Sequence, residues 1–158
     1  MNDTVIAFFI TWTTYGSWLP GDRRGWASKK VLGIQEPNPE LEQECRERMM
    51  EDAVTLMWAQ RQIVDAVIVE HCRIRGWKLH ARNARTNHVH IVVTADCDGE
   101  TVREQLKGWC SRRLSDHAGL PAKSKHGRRR WFTEGGDLDD IFDEDHLQNV
   151  IEYVIEGQ

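Results

Sequence analysis

The sequence predicts an α+β domain in which an antiparallel sheet of the split βαβ type is followed by an extra C-terminal helix. Short runs of alternating or β-branched residues predict strands, and longer segments with apolar residues three and four positions apart predict helices. These segments follow one another in the order β, α, β, β, α, β, α. The 158 residues suit one domain that spans positions 1–158.

The first part of the chain supplies a strand, a loop and a helix. The β-branched and aromatic residues of 5–12 predict a strand. Segment 18–26 combines a Pro-Gly turn with a further glycine and two tryptophans, so we predict an irregular loop. Residues 39–68 favour a helix with Pro39 near its start. Its apolar positions at helical spacing include Met50, Val54, Met57 and Trp58.

The second part of the chain supplies the remaining strands and helices. Residues 77–84 and 88–95 predict a hairpin of two strands, and 101–116 predict a helix. We expect a short strand near 130–133, then an acidic connector, and a final helix over 144–155. The predicted buried stripe of the 101–116 helix is Val102, Leu106, Trp109, Cys110 and Leu114, with Lys107, Arg112 and Arg113 outside it.

This element order describes a ferredoxin-like sheet. The strand of residues 88–95 is then central, helices cover one face of the sheet, and the other face is left for a ligand. Its motif Asn-His-Val-His places His88 and His90 on the same side, because side chains two residues apart in a strand point the same way. Two imidazoles so placed can hold a divalent metal, although a hard ion requires oxygen ligands as well. The alternative is a pair of ordinary strand histidines that face a polar surface.

Charge is segregated along the chain. The formal net charge of −4 argues mildly against a nucleic-acid partner. However, basic residues collect in 73–85 and 103–130, on either side of the His pair, whereas acids collect in 36–52 and 134–156. A basic face beside a metal site suits a polyanion. The alternative is that these charges only solvate helix faces.

Cysteine usage and hydropathy predict a cytoplasmic protein of bacterial type. The four cysteines, at positions 45, 72, 97 and 110, show no Cys-x-x-Cys spacing, so we expect reduced thiols rather than a zinc site or disulfides. The N-terminus lacks the basic start of a signal peptide, and no apolar stretch approaches the ~18 residues that cross a bilayer. We therefore expect no membrane partner.

Tyr153 is one of two tyrosines in the sequence, and its spacing alone does not assign it a catalytic role. It lies in the predicted final helix but off the apolar stripe, so its phenol can face a groove. The predicted stripe consists of Leu147, Val150, Ile151, Val154 and Ile155.

Taken together, these motifs resemble the IS200-like single-tyrosine HUH transposases, in particular the branch associated with repetitive extragenic palindromes (REP). The resemblance spans nearly the whole chain in the family's order. It rests on segments 11–26 (TWTTYGSWLPGDRRGW), 87–93 (NHVHIVV), 106–109 (LKGW), 112–114 (RRL), 131–136 (WFTEGG) and 153–158 (YVIEGQ).

The resemblance implies a metal-dependent transposase that cleaves and rejoins single-stranded DNA near hairpins. His88 and His90 then bind Mg²⁺ or Mn²⁺, and Tyr153 attacks the scissile phosphate to form a 5′-phosphotyrosine intermediate. The family usually completes the metal shell with Gln or Asn one turn after the tyrosine, where this chain has Gly157. Gln158 is the ligand favoured by analogy, and Glu156 is the alternative.

The DNA partner is expected to carry a REP-like palindrome, and the protein to act as a monomer or a homodimer. One alternative is a catalytically silent regulator that binds DNA or RNA hairpins. Another is a replication-initiator nuclease of the same chemistry, although such proteins commonly carry a larger additional domain. Tryptophans in a loop are candidates for base stacking, whereas Trp109 and Trp131 could equally belong to the core. The candidate DNA-binding residues are Arg82, Arg85, Lys107, Arg112, Arg113, Trp18 and Trp26.

Overall fold

The computed structural model describes residues 4–28, 30–49, 52–120 and 130–156. The strands are β1 (Ala7–Thr13), β2 (Trp26–Ala27), β3 (Ile34–Gln35), β4 (Lys78–Ala84), β5 (His88–Thr94) and β6 (Asp137–Ile141). The helices are α1 (Pro39–Glu47), α2 (Trp58–Arg75), α3 (Gly99–His117) and α4 (Glu144–Glu156). None of the described helices is long and apolar enough to cross a membrane.

The main sheet has the strand order β4-β5-β1-β6, and every neighbouring pair is antiparallel. This is the order of a ferredoxin-like split βαβ sheet. The predicted α+β fold with an added C-terminal helix that carries the tyrosine is therefore confirmed. The strand with the His pair, β5, is central, between β4 and β1. Strands β2 and β3 form a separate two-stranded ribbon.

One face of the sheet, the α2/α3 face, carries the larger hydrophobic core. Alternate residues of β1 and β5 point to this face, as expected for strands. Helices α2 and α3 bury their apolar sides against these residues, and α2 ends where Gly76 adopts a left-handed conformation with φ of 71°. The strand residues buried on this face include Ile10, Trp12, Val89, Ile91 and Val93.

The opposite face of the sheet, the α4 face, is partly covered by α4. Leu147, Val150 and Val154 of this amphipathic helix are buried against a smaller apolar cluster of the sheet. The sheet residues of that cluster are Ala7, Ala81, Val92 and Ile141. Ile155 is 65% exposed, so its predicted place in the buried stripe is wrong.

The single helix predicted over 39–68 is wrong, since the structure has two helices with an extended segment between them. Val54 and Leu56 are buried in that segment, and their backbone N–H groups donate to the carbonyls of Tyr15 and Thr86 at 2.8 and 2.7 Å. These tertiary hydrogen bonds replace helical ones. Met57 and Trp58 are exposed at the start of α2, and Met50 lies outside the described residues.

The fourth strand of the sheet lies in the predicted acidic connector. Residues 130–133 form only an isolated bridge from Phe132 to Thr14, whereas β6 pairs with β1. Leu138 packs on the main core and Ile141 on the smaller cluster, while the aspartates between them face solvent at the sheet edge. Charged residues on an edge strand oppose pairing with another chain.

Candidate active site

His88 and His90 lie side by side on the α4 face of the sheet. The residues on either side of His90 in β5, Val89 and Ile91, belong to the main core, so alternation directs both imidazoles to the opposite face. The two ring centroids are 4.6 Å apart, and both rings are half-buried. Sheet register and the position of α4 therefore create a pair of imidazoles at a partly solvated surface.

Hydrogen bonds hold the Nδ1 atom of each ring. Nδ1 of His88 lies 2.7 Å from Oδ1 of Asn87, and because a carbonyl oxygen only accepts, the ring donates through Nδ1. Nδ1 of His90 lies 2.8 Å from Oγ1 of Thr11, its cross-strand partner in β1. A neutral ring that donates through Nδ1 keeps its lone pair on Nε2, the arrangement of a metal-binding imidazole.

Burial and nearby positive charge favour the neutral form of both rings. The pKa of His90 is lowered to about 4, first by burial and then by the positive charges of His88 and Arg85. The pKa of His88 is also lowered, by burial and then by Arg85. Since metals bind the neutral imidazole, the donor set fits a divalent cation.

Tyr153 lies directly against the His pair. Its ring centroid is 6.0 Å from that of His90, with the two rings tilted by 71°. Phe9 of β1 completes the group, at 6.0 Å from the Tyr153 ring and 5.6 Å from the His90 ring. The Tyr153 side chain is 48% exposed, so a substrate can reach it. All these side chains come from one chain.

The third metal ligand is not found among the described residues. Gln158 lies outside them. Glu156 is exposed at the end of α4, and within the described ranges no third His, Cys, Asp or Glu joins the pair to form a metal cluster. The described part of the site thus provides two nitrogen ligands, and the choice of Gln158 stays a prediction.

Two arginines predicted to bind DNA lie in different places. Arg85 follows β4, and its charge acts on both imidazoles, so it lies near the site. Arg82 is paired with Ile91 in the β4–β5 register and therefore points to the α2/α3 face, where its Nε donates to Asp65 of α2 at 2.5 Å. The structure brings Arg85, but not Arg82, to the His pair.

The basic residues of α3 are on the far side of the sheet from the His pair. Lys107, predicted to be on the surface, is 7% exposed, and its Nζ donates to the carbonyls of Thr133 and Gly135, both at 2.8 Å. That surface prediction is wrong, because the ammonium fixes the turn before β6. Arg112 and Arg113 are exposed. Residues 121–129, with four basic residues of the same block, lie outside the described residues.

The tryptophans also divide into different environments. Trp18 is 43% exposed, its Nε1 donates to the carbonyl of Gly25, and the Arg24 guanidinium stacks 3.8 Å from its ring centroid. Trp26 borders an acidic cleft that includes Glu36 and Glu40, which suits a polyanion poorly. Of the two loop tryptophans, Trp18 is therefore the better candidate for stacking on an unpaired base.

The structure also distinguishes between a core position and an exposed position for Trp131 and Trp109. Trp131 is buried in the core and donates to Oγ of Ser115 at 2.9 Å. Trp109, predicted in the buried stripe of its helix, is 41% exposed and has the Arg112 guanidinium over its ring. The stripe prediction is wrong for Trp109, because its ring lies on the outer side of α3.

Sequence reasoning did not identify four residues around the His pair: Phe9, Thr11, Asn83 and Asn87. Asn87 precedes His88 in the quoted motif and could have been proposed from that position. Phe9, Thr11 and Asn83 depend on the pairing register of three strands, which the sequence does not state.

Comparison with known proteins identifies the fold. No family model and no curated protein matches this sequence. Among solved structures, a REP-associated tyrosine transposase bound to a REP hairpin matches with a TM-score of 0.53 and 12% identity, over 98% of this chain and 67% of the other. A protein of Deinococcus radiodurans proposed to be a transposase matches with a TM-score of 0.52 and 14% identity, over 98% and 92% of the two chains. The chain shares the fold of these proteins, as the sequence resemblance predicted.

Proposed function

We propose that this protein is a metal-dependent transposase of the single-tyrosine type, which cleaves and rejoins single-stranded DNA beside a REP-like hairpin. The observation that carries the proposal is the contact between the Tyr153 ring and His90, next to His88, on a partly solvated surface. A metal-binding imidazole pair and a phenol within reach of the same phosphate are what such chemistry requires.

In the proposed reaction, Tyr153 supplies the attacking atom. The Tyr153 phenol oxygen forms a bond to phosphorus, the bond from phosphorus to the 3′ oxygen breaks, and the phenol proton leaves while the 3′ oxygen gains one. The 5′-phosphotyrosine retains a reactive ester, so a 3′-OH can attack it in the reverse sense, rejoin the strands and release the phenol.

His88 and His90 would hold the Mg²⁺ or Mn²⁺ ion. When bound, the ion supplies Lewis-acid polarisation of the phosphate. Asn87 and Thr11 orient the two rings through their Nδ1 atoms, and Arg85 adds positive charge for the DNA backbone. Trp18, with one face covered by Arg24, offers its exposed surface to an unpaired base.

The test of this function is a covalent adduct between protein and DNA. Purified protein is incubated with a panel of single-stranded hairpins and Mn²⁺, and adducts are resolved on a denaturing gel. We expect a hairpin-specific adduct that Tyr153→Phe abolishes, because the phenol oxygen is the attacking atom.

The chain contains one matched control for this substitution. Tyr15 is the only other tyrosine and packs against the main core, so Tyr15→Phe should retain the adduct. An adduct that survives in Tyr153→Phe would refute the assigned nucleophile. Hairpin binding with no adduct under any condition would favour the silent regulator instead.

A further inference from the structure

We propose that Asn83 is a positioning residue that fixes Tyr153 against His90. The proposal rests on the proposed function, since it concerns the geometry of the same nucleophile. Asn83 lies on β4, and its Nδ2 donates to the backbone carbonyl of Val154 at 3.0 Å. Val154 is the residue that follows Tyr153 in α4.

The hydrogen bond acts on the part of α4 that is least fixed by the helix itself. Val154 lies in the last turn of α4, where carbonyl groups have no N–H partner inside the helix. The Asn83 amide therefore supplies a donor to a backbone group of the turn that carries Tyr153. A neutral side-chain amide can do so without bringing a charge to the apolar contact of Val154 with the sheet.

The sheet register ties the same asparagine to the metal-binding strand. Asn83 and His90 are cross-strand partners in the β4–β5 ladder. His90 is therefore part of this ladder, and the end of α4 is hydrogen-bonded to the same ladder through Asn83. The relative position of the imidazole and the phenol is set by this short connection, in addition to the packing of Val150 and Val154.

Loss of this connection is expected to displace Tyr153 without removing any reacting group. A misplacement of about 1 Å at a reacting group can lower a rate on the order of 100-fold. Asn83→Asp keeps the shape of the side chain but replaces the donor by an acceptor, and Asn83→Ala removes the amide. We expect both variants to slow adduct formation by about 10- to 100-fold at saturating DNA and Mn²⁺. For Asn83→Ala, which adds no charge beside the His pair, the affinities for hairpin DNA and for Mn²⁺ should stay unchanged.

Fluorine NMR tests the anchor independently of catalysis. The chain has two tyrosines, so protein labelled with 3-fluorotyrosine gives two signals, which Tyr15→Phe and Tyr153→Phe assign. We expect Asn83→Ala and Asn83→Asp to shift or sharpen the Tyr153 signal while the Tyr15 signal stays in place. Asn149→Ala, which removes an exposed amide from the same helix, is the matched control and should leave both signals and the adduct rate unchanged.

The outcomes separate this proposal from the function on which it rests. An unchanged Tyr153 signal and a full adduct rate in both Asn83 variants would overturn the positioning role. Movement of both tyrosine signals together with a large fall in melting temperature would assign Asn83 to general stability and overturn it as well. If the wild-type protein forms no adduct, the proposed function fails, whereas the fluorine signals still decide whether Asn83 holds Tyr153.

Discussion

The two faces of the sheet are built for different purposes, and β5 shows the contrast within one strand. Val89, Ile91 and Val93 are fully buried on the α2/α3 face, whereas His88 and His90 are half-buried on the α4 face. Alternation along a single strand thus places apolar packing and the candidate chemistry on opposite sides. The face that carries most of the hydrophobic core is separate from the face that carries the candidate site.

In the part of the chain that the structure describes, polar groups on both faces form hydrogen bonds, with one exception on the α2/α3 face. On the α4 face the imidazoles bond to Thr11 and Asn87, and the Asn83 amide bonds to α4. On the α2/α3 face the indole Nε1 of Trp12 is buried, and it is the one buried side-chain polar atom among the described residues without a hydrogen bond. Burial of apolar area dominates there and outweighs an unmet donor, whereas the site depends on oriented donors and acceptors.

The largest expected effects are those of alanine substitutions at two neighbouring residues of β5, which should differ in both stability and cleavage rate. Ile91→Ala leaves a cavity in the main core and should lower the free energy of unfolding by about 3 kcal/mol. His90→Ala removes a half-buried polar ring and should lower it by about 1 kcal/mol. The order reverses for chemistry, since loss of a metal ligand removes several kcal/mol of transition-state stabilisation, and the cleavage rate should fall about 1,000-fold.

Urea denaturation and single-turnover adduct formation measure these two effects on the same proteins. His146, which is exposed at the start of α4, provides a matched control, and His146→Ala should change neither quantity. Equal losses of stability in Ile91→Ala and His90→Ala would show that the two faces are not divided as described. Full cleavage by His90→Ala would remove this histidine from the site.

The orientation of His90 by Thr11 predicts a smaller effect. Thr11→Val keeps the shape of the side chain and removes the partner of Nδ1, which lies 2.8 Å away. Loss of such an outer partner typically weakens metal binding by about 10- to 100-fold. Isothermal titration with Mn²⁺ measures the change, and Thr11→Ser, which retains the hydroxyl, should restore most of the affinity. A valine variant that binds Mn²⁺ as the wild type does would contradict the orienting role.

Local pattern was sufficient to predict the elements that carry the site. The His-Val-His alternation predicted a strand with both imidazoles on one side, and the apolar stripe of the last helix left Tyr153 off its buried side. Both features depend on periodicity within one element, which the sequence contains in full.

Features that depend on contacts between elements were not predictable in the same way. Val54 has helical spacing in the sequence, but its backbone N–H donates to the carbonyl of Tyr15, which is far away along the chain. This tertiary hydrogen bond overrides the helical pattern. Lys107 follows the pattern of a surface residue but reaches two carbonyls of the turn before β6. Arg82 and Arg85 are both basic residues beside the His pair in the sequence, but only the packing of α2 on the sheet gives Arg82 its partner, Asp65.

The different positions of Arg82 and Arg85 give the smallest predicted effect, a change in the salt dependence of DNA binding. Arg85→Ala removes a positive charge close to both imidazoles, whereas Arg82→Ala removes one that is paired with Asp65 on the other face. If Arg85 contacts one phosphate of single-stranded DNA, its loss should reduce the slope of log affinity against log salt concentration by about 0.7. Arg82→Ala should leave that slope unchanged. Fluorescence anisotropy with hairpin DNA at several salt concentrations measures both slopes, and equal changes would mean that DNA contacts both faces of the sheet.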